Sequence, residues 1–493
     1  MLLNIKKAKE QIISTVKAYL AKDELGRYMI PQNKQRPIFL VGPPGIGKTE
    51  IMSQIASELG IGLLSYSMTH HTRQSALGLP IIKKGEYKGE QFDVSEYTMS
   101  EILASVFSLM NRSGLESGIL FLDEINCISE TLMPIMLQFL QYKVFGGHKL
   151  PEGWIVVTAG NPPEYNNSVR EFDIVTLDRL KVIEATPDLN VWKEYAYSGN
   201  VHGSVLTYLE IKPQNFYKIE AVAGGKRFVT ARGWDDLSRV ITVYEKLAMK
   251  PDGDLIKQYI HNDTIADDFA VYYELYDKYK SDYKVDQILS GDASDEIKNR
   301  ARQAKFDERY SLLGLLIESI NEQVRLVLDR DELLTELKPS VSEGKQQDDP
   351  KAYFADLAQK CRSERERLAE SGSLSAKKEE LLISLVRVYE GFRVCDDAAS
   401  MYMSEVERFR RILTEAKFYF SNLFDFCEKV FGTGQEMLIL VTELAANPLT
   451  ARFISAYGCP EYHKYDKSLM FYERRIELIN EIEAVSDNEK CTD

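Results

Sequence analysis

The spacing of apolar and polar positions divides the chain into a first part of alternating strands and helices and a helical remainder. Short apolar runs bounded by Gly, Pro or polar residues are typical of buried strands. They occur at residues 37–41, 118–122, 154–160 and 181–185. From about residue 286, apolar residues return at steps of three and four, which is typical of helices. We therefore expect an α/β fold: a central parallel sheet flanked by helices, then a mostly α-helical C-terminal region.

Weaker patterns fill in the remaining elements. Apolar residues between lysines predict an amphipathic helix over residues 5–19, and residues 191–198 are also predicted to be helical. Apolar flanks around Gly-containing turns predict hairpins at 79–94, at 143–151 and around Gly224-Gly225. The polar segment 341–350 predicts a linker, and the stripe from Val406 to Phe420 favours the core of a helical bundle over a coiled coil.

The first candidate for chemistry is a glycine-rich loop placed directly after the strand at 37–41. Such a loop turns backbone N–H groups around a phosphate, while its Lys reaches the terminal phosphates and its Thr offers a hydroxyl to Mg²⁺. A loop that only turns the chain would not need Lys-Thr at this spacing. The nucleotide-binding candidates are Gly42, Pro43, Pro44, Gly45, Ile46, Gly47, Lys48, Thr49 and Glu50.

Two further strand ends carry polar groups that fit the same site. Asp123 and Glu124 follow the run at 118–122, and ligands of open α/β sheets bind at the carboxyl ends of strands. Asp123 would hold Mg²⁺ together with Thr49, and Glu124 would polarise the attacking water. Asn161 ends the strand at 154–160 and could sense the γ-phosphate, although Asn-Pro is also an ordinary turn dipeptide.

Arg179 and Arg232 follow in chain order. An arginine placed near the γ-phosphate neutralises developing charge, and a neighbouring subunit can deliver it. A surface ion pair is the more common role of an arginine, so neither residue identifies a site by itself.

Composition limits the class of protein. The chain has 493 residues, enough for about three domains, and a net charge of −14 that makes nucleic acid an unlikely partner. Its six cysteines form no Cys-x-x-Cys pair, and the adjacent His70 and His71 lack further ligands, so a metal cluster is not expected. No apolar run reaches the roughly 18 residues of a membrane span, and we expect a cytoplasmic protein.

In this order the motifs resemble those of the AAA+ ATPases, and specifically the MoxR-like family, over residues 20–245. The resemblance implies ATP and Mg²⁺ as ligands, with 42–49 as the Walker A motif and Asp123-Glu124 as the Walker B pair. It also implies sensor 1 at Asn161, the arginine finger at Arg179 and sensor 2 at Arg232. The hairpins at 79–94 and 143–151 lie where this family carries its helix-2 insert and pre-sensor-1 hairpin. Their candidate substrate contacts are Lys83, Lys84, Tyr87, Lys88, Phe145 and His148.

The resemblance and the residue pattern together predict a domain plan. The resemblance implies an AAA+ core at 1–186 and a lid with sensor 2 at 187–280, whereas the apolar pattern predicts a helical extension at 281–340, a C-terminal helical domain at 351–485 and a disordered tail at 486–493. The stretch 69–80 departs from the usual family pattern, and the C-terminal region is longer than usual. The family implies a homo-oligomer, in particular a hexameric ring, acting as a chaperone or remodelling ATPase on a protein client that could contain a von Willebrand factor A domain.

Two alternatives remain open from the residues. A nucleic-acid motor or loader could use the same core and would be stimulated by DNA or RNA. A nucleotide-gated scaffold would switch partner affinity with little turnover.

Overall fold

The computed structural model of the protein describes residues 2–87, 90–166, 168–222, 225–394 and 397–466. These residues form two compact units. The first unit contains the described residues of 2–191, 230–232 and 347–394. The second contains those of 192–229, 233–346 and 397–466.

Strands and helices alternate up to residue 186. The strands are β1 (Leu2–Asn4), β2 (Ile38–Val41), β3 (Gly62–Ser67), β4 (Pro80–Tyr87), β5 (Glu90–Tyr97), β6 (Gly118–Asp123), β7 (Val144–Phe145), β8 (His148–Lys149), β9 (Trp154–Gly160), β10 (Lys181–Thr186), β11 (Lys218–Val222) and β12 (Gly225–Val229). The helices up to this point are α1 (Ile5–Leu20), α2 (Lys48–Leu59), α3 (Arg73–Leu77), α4 (Glu101–Ser113), α5 (Met133–Tyr142) and α6 (Ile174–Leu177).

Helices dominate the rest of the described chain. They are α7 (Leu189–Ser198), α8 (Gly203–Ile211), α9 (Ala231–Lys246), α10 (Gly253–Tyr259), α11 (Asp263–Tyr283), α12 (Val285–Leu289), α13 (Asp295–Gln303), α14 (Phe306–Gly344), α15 (Pro350–Glu370), α16 (Ala376–Val394), α17 (Ala398–Phe431), α18 (Gln435–Ala446) and α19 (Pro448–Tyr457). The predicted helices and strands are confirmed, including the amphipathic α1. No single helix in the described ranges is long and apolar enough to cross a bilayer; α18 and α19 reach that length only jointly, across an 87° bend.

A six-stranded parallel sheet organises the first unit, in the order β1-β10-β2-β9-β6-β3. Every residue of β9 is buried, as expected for a central strand covered on both faces. The register sets Val41 opposite Gly160, and Ser67 opposite Asp123. The carboxyl ends of β2, β3, β6 and β9 therefore meet at one edge, which confirms the predicted fold class.

The opposite end of the sheet is packed around Trp154. A Cβ at Gly118 would lie 2.8 Å from the Trp154 ring, so only glycine fits beside it. The apolar core continues between the sheet and α4 and α5, where Leu103, Val106 and Phe139 are fully buried. This packing supports the strands from the end remote from the polar edge.

The second unit is built on two long helices, α14 and α17, whose buried faces meet in a common apolar core that includes Leu316, Ile320 and Phe420. This confirms the predicted bundle core. The prediction of a linker at 341–350 was wrong for its first half, because α14 continues through Pro339 to Gly344. Only residues 345–349 separate it from α15.

The units divide the chain differently from the domain plan. Residues 350–394 form a helical hairpin, α15 and α16, that belongs to the first unit, whereas α17 to α19 belong to the second. The expected segment 351–485 is thus split between two units, since contacts rather than chain order define them. Its last residues, 467–485, and the tail 486–493 lie outside the described residues.

The three predicted hairpins are present: β4 pairs with β5, β7 with β8, and β11 with β12, each antiparallel. Lys88, in the turn of the first hairpin, and the side chain of Tyr87 lie outside the part of the chain that the structure describes. Lys83 and Lys84 are exposed and pair with Glu96 and Asp93.

The prediction for Phe145 as a substrate contact was wrong. The ring is fully buried and stacks on Phe139 at 3.9 Å, because α5 ends where β7 begins. His148 is half-buried, and its Nε2 lies 3.1 Å from the carbonyl oxygen of Tyr97.

Candidate functional site

The glycine-rich loop links β2 to α2 and turns at two glycines. Gly45 and Gly47 have φ of +73° and +92°, a left-handed region that glycine enters without steric cost. Gly47 caps the N-terminus of α2 with no side chain of its own, which leaves the first N–H groups of the helix available to an anion. The loop therefore has the backbone conformation that a phosphate site requires.

Lys48 is the first residue of α2 and is 8% exposed. Its ammonium donates to the carbonyl oxygens of Gly42 (2.8 Å) and Pro43 (2.9 Å) and to Oδ1 of Asn161 (2.8 Å). Burial lowers the pKa of Lys48 to about 8, although the charges of Asp123 and Glu124 act in the opposite direction. A phosphate would supply the anionic partner that these neutral oxygens do not.

Thr49 and Asp123 form the oxygen pair expected for Mg²⁺. Thr49 Oγ1 donates to Asp123 Oδ2 at 3.0 Å across the gap between α2 and the end of β6. One hydroxyl and one carboxylate fit Mg²⁺, which takes few protein ligands and completes its shell with water and phosphate oxygens. Glu50 is exposed one residue further on, and its carboxylate accepts from Gln54.

Glu124 stands just beyond β6 in a left-handed conformation, with φ +54° and ψ +36°. A non-glycine residue in this region is uncommon and is found at functional sites, where the surrounding structure holds it. Its Oε2 accepts from Ser67 Oγ and Thr69 Oγ1, both at 3.2 Å. Sequence reasoning missed Ser67 and Thr69; the only signal was their position at the end of a strand adjacent to β6.

Asn161 meets Lys48 at the end of β9, as predicted. Its backbone carbonyl accepts from Nδ2 of Asn126 at 2.9 Å. Asn126 is buried, and a Cβ at Gly160 would lie 2.4 Å from its Oδ1, so Gly160 leaves room for this amide. Asn126 was also missed, since nothing in its local sequence marks it.

Arg232 opens α9 and lies with the first unit. Its backbone N–H donates to the carbonyl oxygen of Gly45 at 3.1 Å, and its positive charge contributes to lowering the pKa of Lys48. A Cβ at Gly45 would lie 2.7 Å from Thr230 Oγ1, so this segment touches the glycine-rich loop. The structure thus brings Arg232 to the same site.

Arg179 is not brought into the site by any contact in the described residues. It is exposed in the turn after α6, beside Leu137 and Gln141 of α5. His71, by contrast, is engaged locally, with Nδ1 3.1 Å from Ser75 Oγ. Within the described ranges, no group of three potential metal-binding His, Cys, Asp or Glu side chains occurs.

The segment that carries this geometry also matches a known family. Residues 37–180 match the model of the AAA domain, dynein-related subfamily. This segment is therefore similar to an AAA domain. The match supports an AAA+ ATPase and implies a bound nucleotide, and it covers the glycine-rich loop, Asp123, Glu124, Asn161 and Arg179.

Other comparisons add little to the AAA domain. No curated protein matches the chain. Among solved structures, the chain is similar to a protein described as a "putative ATPase" from Cytophaga hutchinsonii, with 14% sequence identity and a TM-score of 0.25. The similarity covers 49% of this chain and 75% of the other. At these values it carries no argument about function.

Proposed function

We propose that the protein is a Mg²⁺-dependent ATPase of MoxR-like type that works as a cytoplasmic homo-oligomer, a hexameric ring, and remodels a protein client. The observation that carries the ATPase is the meeting of Lys48, Asn161, Thr49 and Asp123 at one edge of the sheet, with contacts of 2.8 to 3.0 Å. Lys48 and Thr49 begin α2, Asp123 ends β6, and Asn161 directly follows β9. The match to the AAA domain supports the same reaction.

Each residue has a distinct role in this proposal. The loop N–H groups and Lys48 bind the phosphates, while Thr49 and Asp123 hold Mg²⁺, which supplies charge neutralisation on the phosphate oxygens. Glu124 accepts a proton from the attacking water once its carboxylate is free of Ser67 and Thr69. Asn161 gives up its hydrogen bond with Lys48 and donates from its amide nitrogen to the γ-phosphate, so its position depends on whether that phosphate is present. Arg232 adds positive charge from the start of α9.

The decisive experiment replaces Glu124 with Gln. We expect Glu124→Gln to bind ATP with unchanged affinity, measured with a fluorescent nucleotide, and to lose at least about 100-fold in turnover. Glu130→Gln is the matched control, because Glu130 is 77% exposed and pairs with Arg170 on the surface. Turnover retained by Glu124→Gln would remove the assigned base.

Substitution of Arg179 tests whether neighbouring subunits complete one another's sites. Because the Arg179 side chain is exposed and forms no hydrogen bond or ion pair with the site residues among the described part of its own chain, we propose that it completes the site of a neighbouring subunit. Arg179→Ala and Lys48→Ala should each be inactive alone and should regain part of the activity when mixed. No recovery in mixed assemblies, checked by native mass spectrometry for subunit exchange, would contradict action across subunits.

The Glu124→Gln variant can also be used to identify the client. A Glu124→Gln protein held with ATP should retain the client, and the proposal expects a protein, with a von Willebrand factor A domain as the first candidate. Stimulation of turnover by DNA or RNA would favour a nucleic-acid motor instead. Negligible turnover at high protein concentration, with nucleotide-dependent client binding, would favour the gated scaffold.

A further inference from the structure

β3 is one of the two edge strands of the sheet in the first unit, and it contacts a part of the chain that is distant in sequence. The backbone N–H of Leu63 donates to the carbonyl oxygen of Ser371 at 2.9 Å, at the turn between α15 and α16. Ser371 is fully buried, and its hydroxyl lies 2.6 Å from that of Ser373. An edge strand presents unpaired N–H and C=O groups, so this turn covers part of an otherwise open edge.

Gly372 makes the approach possible. Its φ is +66°, and a Cβ at this position would lie 2.9 Å from the carbonyl oxygen of Leu63. Any other residue would therefore push the turn away from β3 or strain it. The contact depends on glycine for both its backbone conformation and its space.

The hairpin of α15 and α16 holds itself together apart from this contact. The ring of Phe354 packs on Phe392 at 5.0 Å and on Tyr389 at 6.2 Å, and all three are buried. Outside the hairpin, α15 packs against α4, which lies next to β3. Because the hairpin has its own small core, its turn can leave β3 without unfolding the helices.

The strand that the turn touches also serves the proposed active site. Ser67, four residues after Leu63 and about 13 Å along the strand, is one of the two hydroxyl donors to Glu124. A carboxylate that accepts two hydrogen bonds is stabilised as an anion and is a weaker base. The position of β3 therefore bears on how readily Glu124 can take a proton from water.

We propose that the turn at Ser371-Gly372 is a positioning element for Glu124: by holding β3 at Leu63, it keeps Ser67 and Thr69 bonded to the Glu124 carboxylate and restrains turnover. Release of the turn loosens β3 and frees the carboxylate. The inference rests on the proposed ATPase function.

The test compares two left-handed glycines in the full-length chain. Gly372→Ala places a Cβ against Leu63, whereas Gly432→Ala, at φ +73° with no atom within 4 Å, carries the same kind of backbone strain without a collision. We expect Gly372→Ala to raise kcat at least about twofold with little change in the KM for ATP, because the glycine-rich loop is untouched. Gly432→Ala should match the wild type.

Two further measurements separate the possible outcomes. Hydrogen exchange of the peptide covering residues 62–67 should be faster in Gly372→Ala than in Gly432→Ala. Ser67→Ala should also raise kcat, and adding Gly372→Ala to it should give no further increase if both act on Glu124. An active wild type with unchanged or lower kcat in Gly372→Ala, or additive effects, overturns the inference.

A wild type without turnover would contradict the proposed function instead. Hydrogen exchange then tests only whether the turn at Ser371-Gly372 holds β3, and unchanged exchange at residues 62–67 in Gly372→Ala overturns that part of the inference.

Discussion

Two of the three buried lysines in the described residues, one taken from each unit, show that a buried charge can have different roles in this protein. Lys48 and Lys193 are both 8% exposed. Lys193 forms ion pairs with Glu210 and Glu443 in the second unit. Lys48 donates only to neutral oxygens, and no carboxylate lies within ion-pair distance of it among the described residues. Burial alone therefore does not indicate a binding site. Lys143 is also buried and donates to the carbonyl oxygen of Leu140, so the signal at Lys48 is the combination of a buried cation with the glycine-rich loop and the end of β9.

The largest expected difference between the two lysines is in stability. Lys193→Met leaves Glu210 and Glu443 without their shared cation, and breaking such a pair costs about 3–5 kcal/mol in the free energy of unfolding. Denaturant unfolding measures this loss. Lys193→Met with Glu443→Gln should recover part of it, and nucleotide affinity should stay unchanged in both. A stability equal to that of the wild type would show that the ion pairs contribute nothing.

Lys48→Met should give the opposite result. Loss of the cation that we propose binds the phosphates should weaken ATP binding by about 100-fold, or about 2.7 kcal/mol. Its free energy of unfolding should change by less than about 1 kcal/mol, because no carboxylate is left unpaired. Calorimetric titration with nucleotide and denaturant unfolding of the same variant provide the two numbers. Unchanged ATP affinity in Lys48→Met would contradict the assignment of this loop as a phosphate-binding loop.

The pKa of Lys48 sharpens the comparison further. At about 8 in the free protein, this pKa lies below its ordinary value because of burial, and a bound triphosphate should raise it by favouring the charged form. Above pH 8, binding must then take up a proton, and affinity should fall by up to about tenfold per pH unit until the bound-state pKa is reached. Below pH 8 affinity should be flat from this cause. Titration in buffers of different ionisation enthalpy counts the proton; Lys48→Arg should show no such uptake.

The smallest effect is expected on the β4–β5 hairpin. Lys83 pairs with Glu96 at the surface, with half or more of the Lys83 side chain exposed. Lys83→Ala should change the free energy of unfolding by less than about 0.5 kcal/mol and leave basal turnover unchanged. If the hairpin contacts the client, client-stimulated turnover should fall in this variant. Equal stimulation by the client would leave the hairpin without the proposed role.

Much of the first unit could be predicted because its signals are local. The loop from Gly42 to Thr49, the pair Asp123-Glu124 and the strand end at Asn161 each combine a buried strand with a polar end in a few consecutive residues. Parallel strands place such ends at a common edge, so convergence followed from strand order alone. The contacts of Lys48 with Asn161 and of Thr49 with Asp123 agree with that expectation.

What could not be predicted depends on contacts between residues far apart in the chain. Ser67 reaches Glu124 across 57 positions, and Leu63 reaches Ser371 across more than 300. The sequence around each of these residues contains no pattern that predicts which distant residue it contacts. Phe145 was misjudged for a related reason: a Gly-Gly turn predicts an exposed loop, but the stacking with Phe139 that buries this ring is not visible in the turn.

The hydrogen bond from Asn126 to the backbone of Asn161 has a consequence for how fast the site can respond. With its main chain held on one side by Asn126 and following a fully buried strand, Asn161 can change partners only by rotating its side chain. Such rotations take picoseconds to nanoseconds at accessible positions, whereas loops rearrange over nanoseconds to microseconds. Detection of a phosphate at this point would therefore be complete long before any larger part of the molecule has moved.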